Sequence, residues 1–394
     1  MADQFEWYTL NSSLQRDTVI ENFESFIWTE RYSSYGDFQI VTKSTRTSRN
    51  LLQPGVFLGM KNSPNKTTMI IDTVVDETGT DGIRNLTVTG KSLEALLADR
   101  VAMPAIADTT TTPAWVVSNT PANVIQYMFS QICVTGVVNA GDVIPQYHSG
   151  TLLPAGNIGL PTDVITVSAP PDTLYNTIKK IADTYFLGFR MPRDGDTGNV
   201  YFEVYVGSDR TSTQATLAPV VFDPNMDNLE KPTLLSSTAA VKTVAYVFAQ
   251  NGSAMVYAVG ADATATGTGR RVLLVNSSNS EAAGPTLDAA LQNEGLTALA
   301  NQRLVYTFDG ELPQHIPYVY GVDYFLGDLV EERNGTGYGN QLLVTEQIFS
   351  SDQNGERSYP TLTIKQLITP GTWVTEPSTL HWADEDPSVI WATL

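Results

Sequence analysis

The sequence predicts a mainly β protein with α+β insertions, and three observations support that class. Short runs of apolar and aromatic residues alternate with polar ones and end at Gly, Pro, Asn or Asp, as half-buried strands do. Segments with helical spacing are few and lie between the early and the late sets of strand-like runs. A late set of strand-like runs repeats an early set in order and spacing. At 394 residues the chain exceeds what a single hydrophobic core serves, so two to four domains are expected.

The first unit carries Phe23, Phe26, Ile27, Trp28, Tyr32, Tyr35, Phe38 and Ile40, split into two strands by the turn at Tyr35-Gly36-Asp37. Pro54-Gly55 opens a strand over 56–58. Met69 to Val75 forms a longer one, and the polar, Gly-bearing stretch from Asp76 to Gly82 connects it to a return strand over 85–89. Ser92 then stands as the N-cap of a short helix running to Arg100.

The middle of the chain reads as α+β. Thr120-Pro121 starts a helix, because the N–H that proline lacks has no partner in a first turn. Val124, Ile125, Met128, Phe129 and Ile132 follow at helical spacing. Residues 136–171 are rich in Gly, Pro and Thr and read as loop. Asp172 caps a second helix carrying Leu174, Ile178, Ile181 and Tyr185, and the turn from Arg193 to Gly198 closes a hairpin. Further strands are expected from Thr243, Met255 and Arg271, then a helix over 287–304 weakened by Gly295.

From Tyr318 to Leu367 the early pattern returns. The run 54–59 matches 326–331, 69–75 matches 342–348, and the closing strand 86–89 is matched with 361–364. Polar turns containing Asp81-Gly82 and Asn354-Gly355 follow the two long strands. A single hairpin would give part of this pattern by chance; the whole series is read as an internal duplication.

Charge and composition limit the function classes. Lys and Arg number 23 against 42 Asp and Glu, a net charge of −19, which opposes wrapping of nucleic acid and docking on anionic membranes. No apolar run is long enough to span a bilayer, and the first residues lack the pattern of a secretory signal. The single cysteine, Cys133, leaves no intrachain disulfide or multi-thiolate zinc site and reads as a small buried residue.

Motifs suggestive of chemistry fail on their surroundings. Gly90-Lys91-Ser92 lacks the upstream glycine of a phosphate loop, and Asp194-Gly195-Asp196 runs into a strand before a calcium loop is complete. Gly335 to Gly339 precedes a strand instead of a helix. No serine sits in a nucleophile elbow, none of the three histidines (His148, His315, His381) has an evident partner, and acidic pairs read as solvated surface. No catalytic, cofactor or metal residues are assigned. Three of the six tryptophans, Trp373, Trp382 and Trp391, fall among prolines in the last 22 residues, as anchors of an extended arm. Trp382 and Trp391 are the candidate partner-docking residues.

Residues 20–32 with Gly36-Asp37-Phe38, 86–97, Phe202 to Tyr205 with Gly207 and 209–211, and 320–328 with Thr345-Glu346 together resemble siphophage tail-tip hub proteins, the minor tail proteins of actinobacteriophages. The segment 260–269 and the arm after 370 depart from that pattern. The resemblance implies two tube-type β-barrel domains related by internal duplication, with helix-bearing domains between them, as in the baseplate hub of contractile-tailed phages. It places a first barrel at 1–105, an α+β insertion at 106–230 and a second barrel at 231–254 and 310–370. A small helix-bearing insertion at 255–309 and an arm at 371–394 complete the division.

The implied function is that of a trimeric hub adapting the hexameric tube and distal-tail ring to three-fold tip components. Its partners would be two further copies, distal-tail ring and tail-tube proteins, the tape measure protein, and central tip or fibre proteins. It would sit in the virion, at the distal end of a tail assembled in the host cytoplasm, with DNA passing an acidic lumen unbound and no stable membrane insertion. A receptor- or glycan-binding tail protein is the alternative reading. A cell-wall hydrolase is disfavoured because the hub-like pattern already occupies most of the chain.

Overall fold

The computed structural model describes residues 5–364, apart from 80–81, 105–114, 171, 238, 259–265, 280, 301, 303–304, 312–317, 334–338 and 354. Seven strands come from the first unit: β1 (Trp7–Leu10), β2 (Arg16–Val19), β3 (Phe23–Arg31), β4 (Asp37–Lys43), β5 (Phe57–Met60), β6 (Thr68–Thr78) and β7 (Arg84–Ser92). Six more follow the middle of the chain: β8 (Val221–Phe222), β9 (Glu230–Ser237), β10 (Val305–Glu311), β11 (Leu329–Arg333), β12 (Gly339–Asp352) and β13 (Gly355–Ile364). They make one 13-stranded sheet in the order β9-β10-β13-β12-β3-β4-β7-β6-β5-β1-β2, with β11 on β12 and β8 parallel to β11.

The two tube-type β-barrels that the resemblance implies are not seen as closed barrels among the described residues. Glu346 to Ser351 of β12 pair antiparallel with Arg31 to Phe26 of β3, so the early and late strands are fused edge to edge. Among the described residues the sheet is an open path with β9 and β2 at its ends, and no barrel closes. Both halves line one core. Trp7 stacks on Phe26 at 4.0 Å, and Phe349 of the late half meets Phe5 edge-on at 5.2 Å. Trp28, Ile40, Leu58, Met69, Tyr324, Val330 and Val344 are buried with them. Each such side chain contributes about 1.5–3 kcal/mol on leaving water.

A second core joins the helices Pro121–Phe129 and Leu174–Tyr185 to a short hairpin, Gly188–Arg190 with Glu203–Tyr205. Pro121 occupies the first turn as expected. The second helix is capped by Thr173, whose hydroxyl accepts from the Asn176 N–H, and not by Asp172. Ser92 also differs from expectation, because its Oγ accepts the Gly36 N–H across the sheet and the turn after it is a 3-10 helix, Leu93–Asp99. Part of the stretch read as loop is a strand, Ile165–Ala169, paired with Trp115–Asn119. Its Thr-Val-Ser alternation is short and was masked by the surrounding Gly and Pro.

A small third layer pairs Val244–Ala249 with Gly252–Tyr257 and, in parallel, with Val272–Asn276. The helix Pro285–Ala300 covers one face through Leu287, Leu291 and Leu299 against Ala245, Val247 and Val256. Gly295 lies where a Cβ would stand 2.6 Å from Val256, so its role is close packing.

Candidate assembly interface

The backbone ladder repeats within the chain. In the early half, Phe57, Leu58 and Gly59 of β5 face Ile70, Met69 and Thr68. In the late half, Leu329, Val330 and Glu331 of β11 face Leu343, Leu342 and Gln341. Ile71 N–H donates to the Val56 carbonyl at 2.9 Å, and Val344 N–H donates to the Asp328 carbonyl at 3.0 Å. Gly55 and Gly327 return the bond, each at 2.8 Å.

Both long strands then carry an irregularity at the same place. The register breaks between Ile71 and Thr73 on β6 and between Val344 and Glu346 on β12. A bulge inserts one residue and flips which backbone groups face which neighbour. Counted from the bulge, Leu86 to Thr89 correspond to Ser358 to Thr361, because Thr73 faces Thr89 and Glu346 faces Thr361. The match to 361–364 taken from hydrophobicity is therefore three residues out.

Beyond the bulge the two halves differ in one respect. On β12 the free edge is taken by β3, an arrangement fixed by the Tyr32 N–H donating to the Thr345 carbonyl at 2.9 Å. On β6 the corresponding segment, Thr73 to Thr78, pairs with β7 on one side and with no strand among the described residues on the other. At the far end of the sheet, β9 pairs with β10 and with no other strand among the described residues. Asp72 and Glu77 flank or occupy the exposed β6 segment, and Arg84 Nη2 holds Asp76 at 2.9 Å. Charges on such an edge restrain unwanted pairing.

The strand expected over 69–75 covers half of the open β6 segment, and no strand is expected over β9, since Pro232 demotes a run otherwise carried by Thr233, Leu234 and Leu235. The β-branched Thr73-Val74-Val75 was the available signal for β6.

A buried polar joint locks the middle domain to the sheet. Arg190 Nε donates to Glu203 Oε2 at 2.8 Å, its guanidinium lies 4.0 Å from the Tyr205 ring centroid, and Glu203 also accepts from the Leu152 and Leu153 N–H groups. Arg193 donates to Leu14 O, Tyr8 Oη and Thr68 Oγ1. Asp328 accepts from Ser208 N–H, Phe325 N–H and Arg210, yet burial pushes its carboxyl above the usual range. Glu30 is buried and pairs with no cation among the described residues; burial raises its carboxyl although Ser63, Trp28 and Tyr320 donate to it.

Among the described residues no three His, Cys, Asp or Glu side chains gather to hold a metal. Burial pushes the Cys133 thiol to about 12, which opposes a thiolate. Lys91 and Ser92 lie within β7, and Asp194 accepts from the Asp196 N–H in a hairpin turn. A groove is lined by Asn22, Phe23, Glu24, Lys43, Ser351, Asp352 and Gln353. No helix among the described residues is long and apolar enough to cross a membrane. Trp382 and Trp391 lie outside the described residues, as do Trp373, His315, His381 and 335–338.

The fold is shared with phage tail proteins. The 43 kDa tail protein of prophage MuSo2 from Shewanella oneidensis superposes with a TM-score of 0.53 at 13% identity, over 92% of this chain and 98% of that one. A tail protein from Neisseria meningitidis MC58 gives 0.52 at 14% identity, over 93% and 98%. The chain itself belongs to the family of siphovirus ReqiPepy6 Gp37-like proteins, whose profile matches residues 6–357. No curated protein matches the sequence.

Proposed function

We propose that the protein is a structural component of a siphophage tail tip. In this reading it is a trimeric hub that adapts the hexameric tube and distal-tail ring to three-fold tip components. The observation that carries it is the repeated ladder: the same strand pairing, backbone bonds and bulge occur at 55–92 and again at 327–364. A chain holding two related sheet units presents six comparable units when three copies encircle an axis, which is what a six-fold ring requires. Family membership and the tail-protein fold support the virion setting.

The proposed organisation keeps the first unit at 1–105, the insertion at 106–230, the second unit at 231–254 and 310–370, the small insertion at 255–309 and the arm at 371–394. Val244–Ala249 pairs with Gly252–Tyr257 across the 254/255 boundary, so that boundary divides a hairpin. The reading is non-enzymatic. Partners are two further copies, the tube and distal ring, the tape measure protein, and tip or fibre proteins, with Trp382 and Trp391 docking on a neighbour. Symmetry in tail particles is the test. Three copies per tip with superposable early and late units are expected, and any other copy number overturns the proposal.

A second reading, a receptor- or glycan-binding tail protein, has one observation in its favour. Tyr246, Phe248, Met255, Val272 and Leu274 form an outward apolar face on the small sheet, with Leu274 63% exposed. Its aliphatic residues suit a protein partner better than a sugar. Glycan binding by monomeric protein would favour this second reading.

A further inference from the structure

We infer that copies of this chain join head to tail by adding β9 of one copy to the open edge of β6 in the next, in a register that the chain's own internal junction dictates. The inference rests on the ring-forming reading above and names its seam.

Within one chain, β12 beyond its bulge pairs with β3 so that Glu346 faces Arg31, Ile348 faces Thr29 and Ser351 faces Phe26. The counterpart of that β12 segment is the open segment of β6, Thr73 to Thr78, because the ladders match residue for residue through the bulge. The counterpart of β3 follows from its neighbours. β3 pairs with β4 and β4 with β7; β9 pairs with β10, and β10 with β13 through Thr307 and Thr363. Carrying the registers across both chains of pairing places Trp28 with Leu234, Thr29 with Leu235 and Arg31 with Ser237. β9 is therefore to the late unit what β3 is to the early one, and among the described residues no strand pairs with its outer edge.

Repeating the internal junction between copies sets Thr73 against Ser237, Val74 against Ser236, Val75 against Leu235, Asp76 against Leu234 and Glu77 against Thr233. Backbone direction agrees. Ile71 faces β5, and the bulge turns Val74, Asp76 and Thr78 toward the open edge, as it turns Gln347 and Phe349 toward β3. Pro232 then falls opposite Thr78, where its missing N–H ends the ladder. The contact is heterologous, so each added copy leaves the same two edges open until the ring closes. Pairing of β6 with another β6 is opposed, since it would bring two sets of Asp72, Asp76 and Glu77 together.

The test is a cysteine pair in the full-length protein, assembled into tail particles. Val75→Cys and Leu235→Cys occupy a non-hydrogen-bonded pair, whose spacing suits a disulfide. With a mild thiol oxidant, the double variant should give intermolecular dimers and trimers on a non-reducing gel. Val74→Cys with Leu235→Cys, one residue out of register and on opposite faces, should not. Amide hydrogen exchange on the unmodified protein supplies an independent readout, with 73–77 and 233–237 slowing together on assembly. Three-fold particles with neither crosslink nor protection would overturn the seam and leave the hub reading standing. Particles with a copy number other than three would overturn the hub reading itself.

Discussion

Glu203 and Arg190 share a site with side chains only 4% and 10% exposed, and each ion is satisfied by more than its partner. Removing one member strands the other charge out of water, which typically costs about 3–5 kcal/mol. Glu203→Leu should therefore lower the denaturation midpoint sharply, and adding Arg190→Met should recover much of the loss. Equal midpoints for the single and double variants would show that the pair is not coupled. Glu30 makes the opposite case, a buried carboxyl with no cation beside it among the described residues. Its folded-state pKa is raised, so the stability it contributes is fully present below the ordinary carboxylate range and is lost as pH rises through the raised value. Relative to Glu30→Gln, the native protein should gain stability as pH falls from 7 to 4, read from paired thermal melts. A constant difference across that range would place Glu30 outside the titrating set.

Several elements were legible in the sequence because their signals are local. The strands around Trp28, Ile40 and Val88, the Pro121 helix and the 188–205 hairpin all follow from spacing and turn residues. β9 and the Ile165–Ala169 strand were not, since short runs holding Pro, or flanked by Gly and Pro, gain strand structure only from the neighbours they pair with. The helix at Leu174 follows from its spacing, whereas its cap does not, because Asp172 and Thr173 both carry capping side chains and the backbone places Thr173 at the N-cap. One junction between elements lends itself to a sharp test. Tyr32 lies between the backbones of Gly188 and Gly327, and its hydroxyl donates to the Phe186 carbonyl at 2.9 Å. A Cβ at Gly188 would stand 2.3 Å from the Tyr32 ring, so Gly188→Ala should cost about 1–3 kcal/mol by overpacking. An unchanged melting temperature would mean that the middle domain and the sheet can separate there without loss.

At the scale of the whole molecule the acidic balance and the terminal arm make separate predictions. With a net charge of −19, a ring of these chains should line its lumen with negative potential and repel DNA, and a basic pore in the assembled particle would contradict this. Deleting residues 376–394, which removes Trp382 and Trp391, should weaken assembly while leaving the monomer's melting transition in place. A lowered monomer transition would mean that the arm packs on its own chain. The sequence by itself determined the strand-rich class and the siphovirus family, because alternation, turn residues and spacing are written along the chain. Only the tertiary structure decided that the two halves fuse into one open sheet, and that β9 and the β6 segment beyond the bulge each lack a second strand partner among the described residues. Register depends on which strand lies alongside, and a single bulge residue exchanges the faces of everything beyond it.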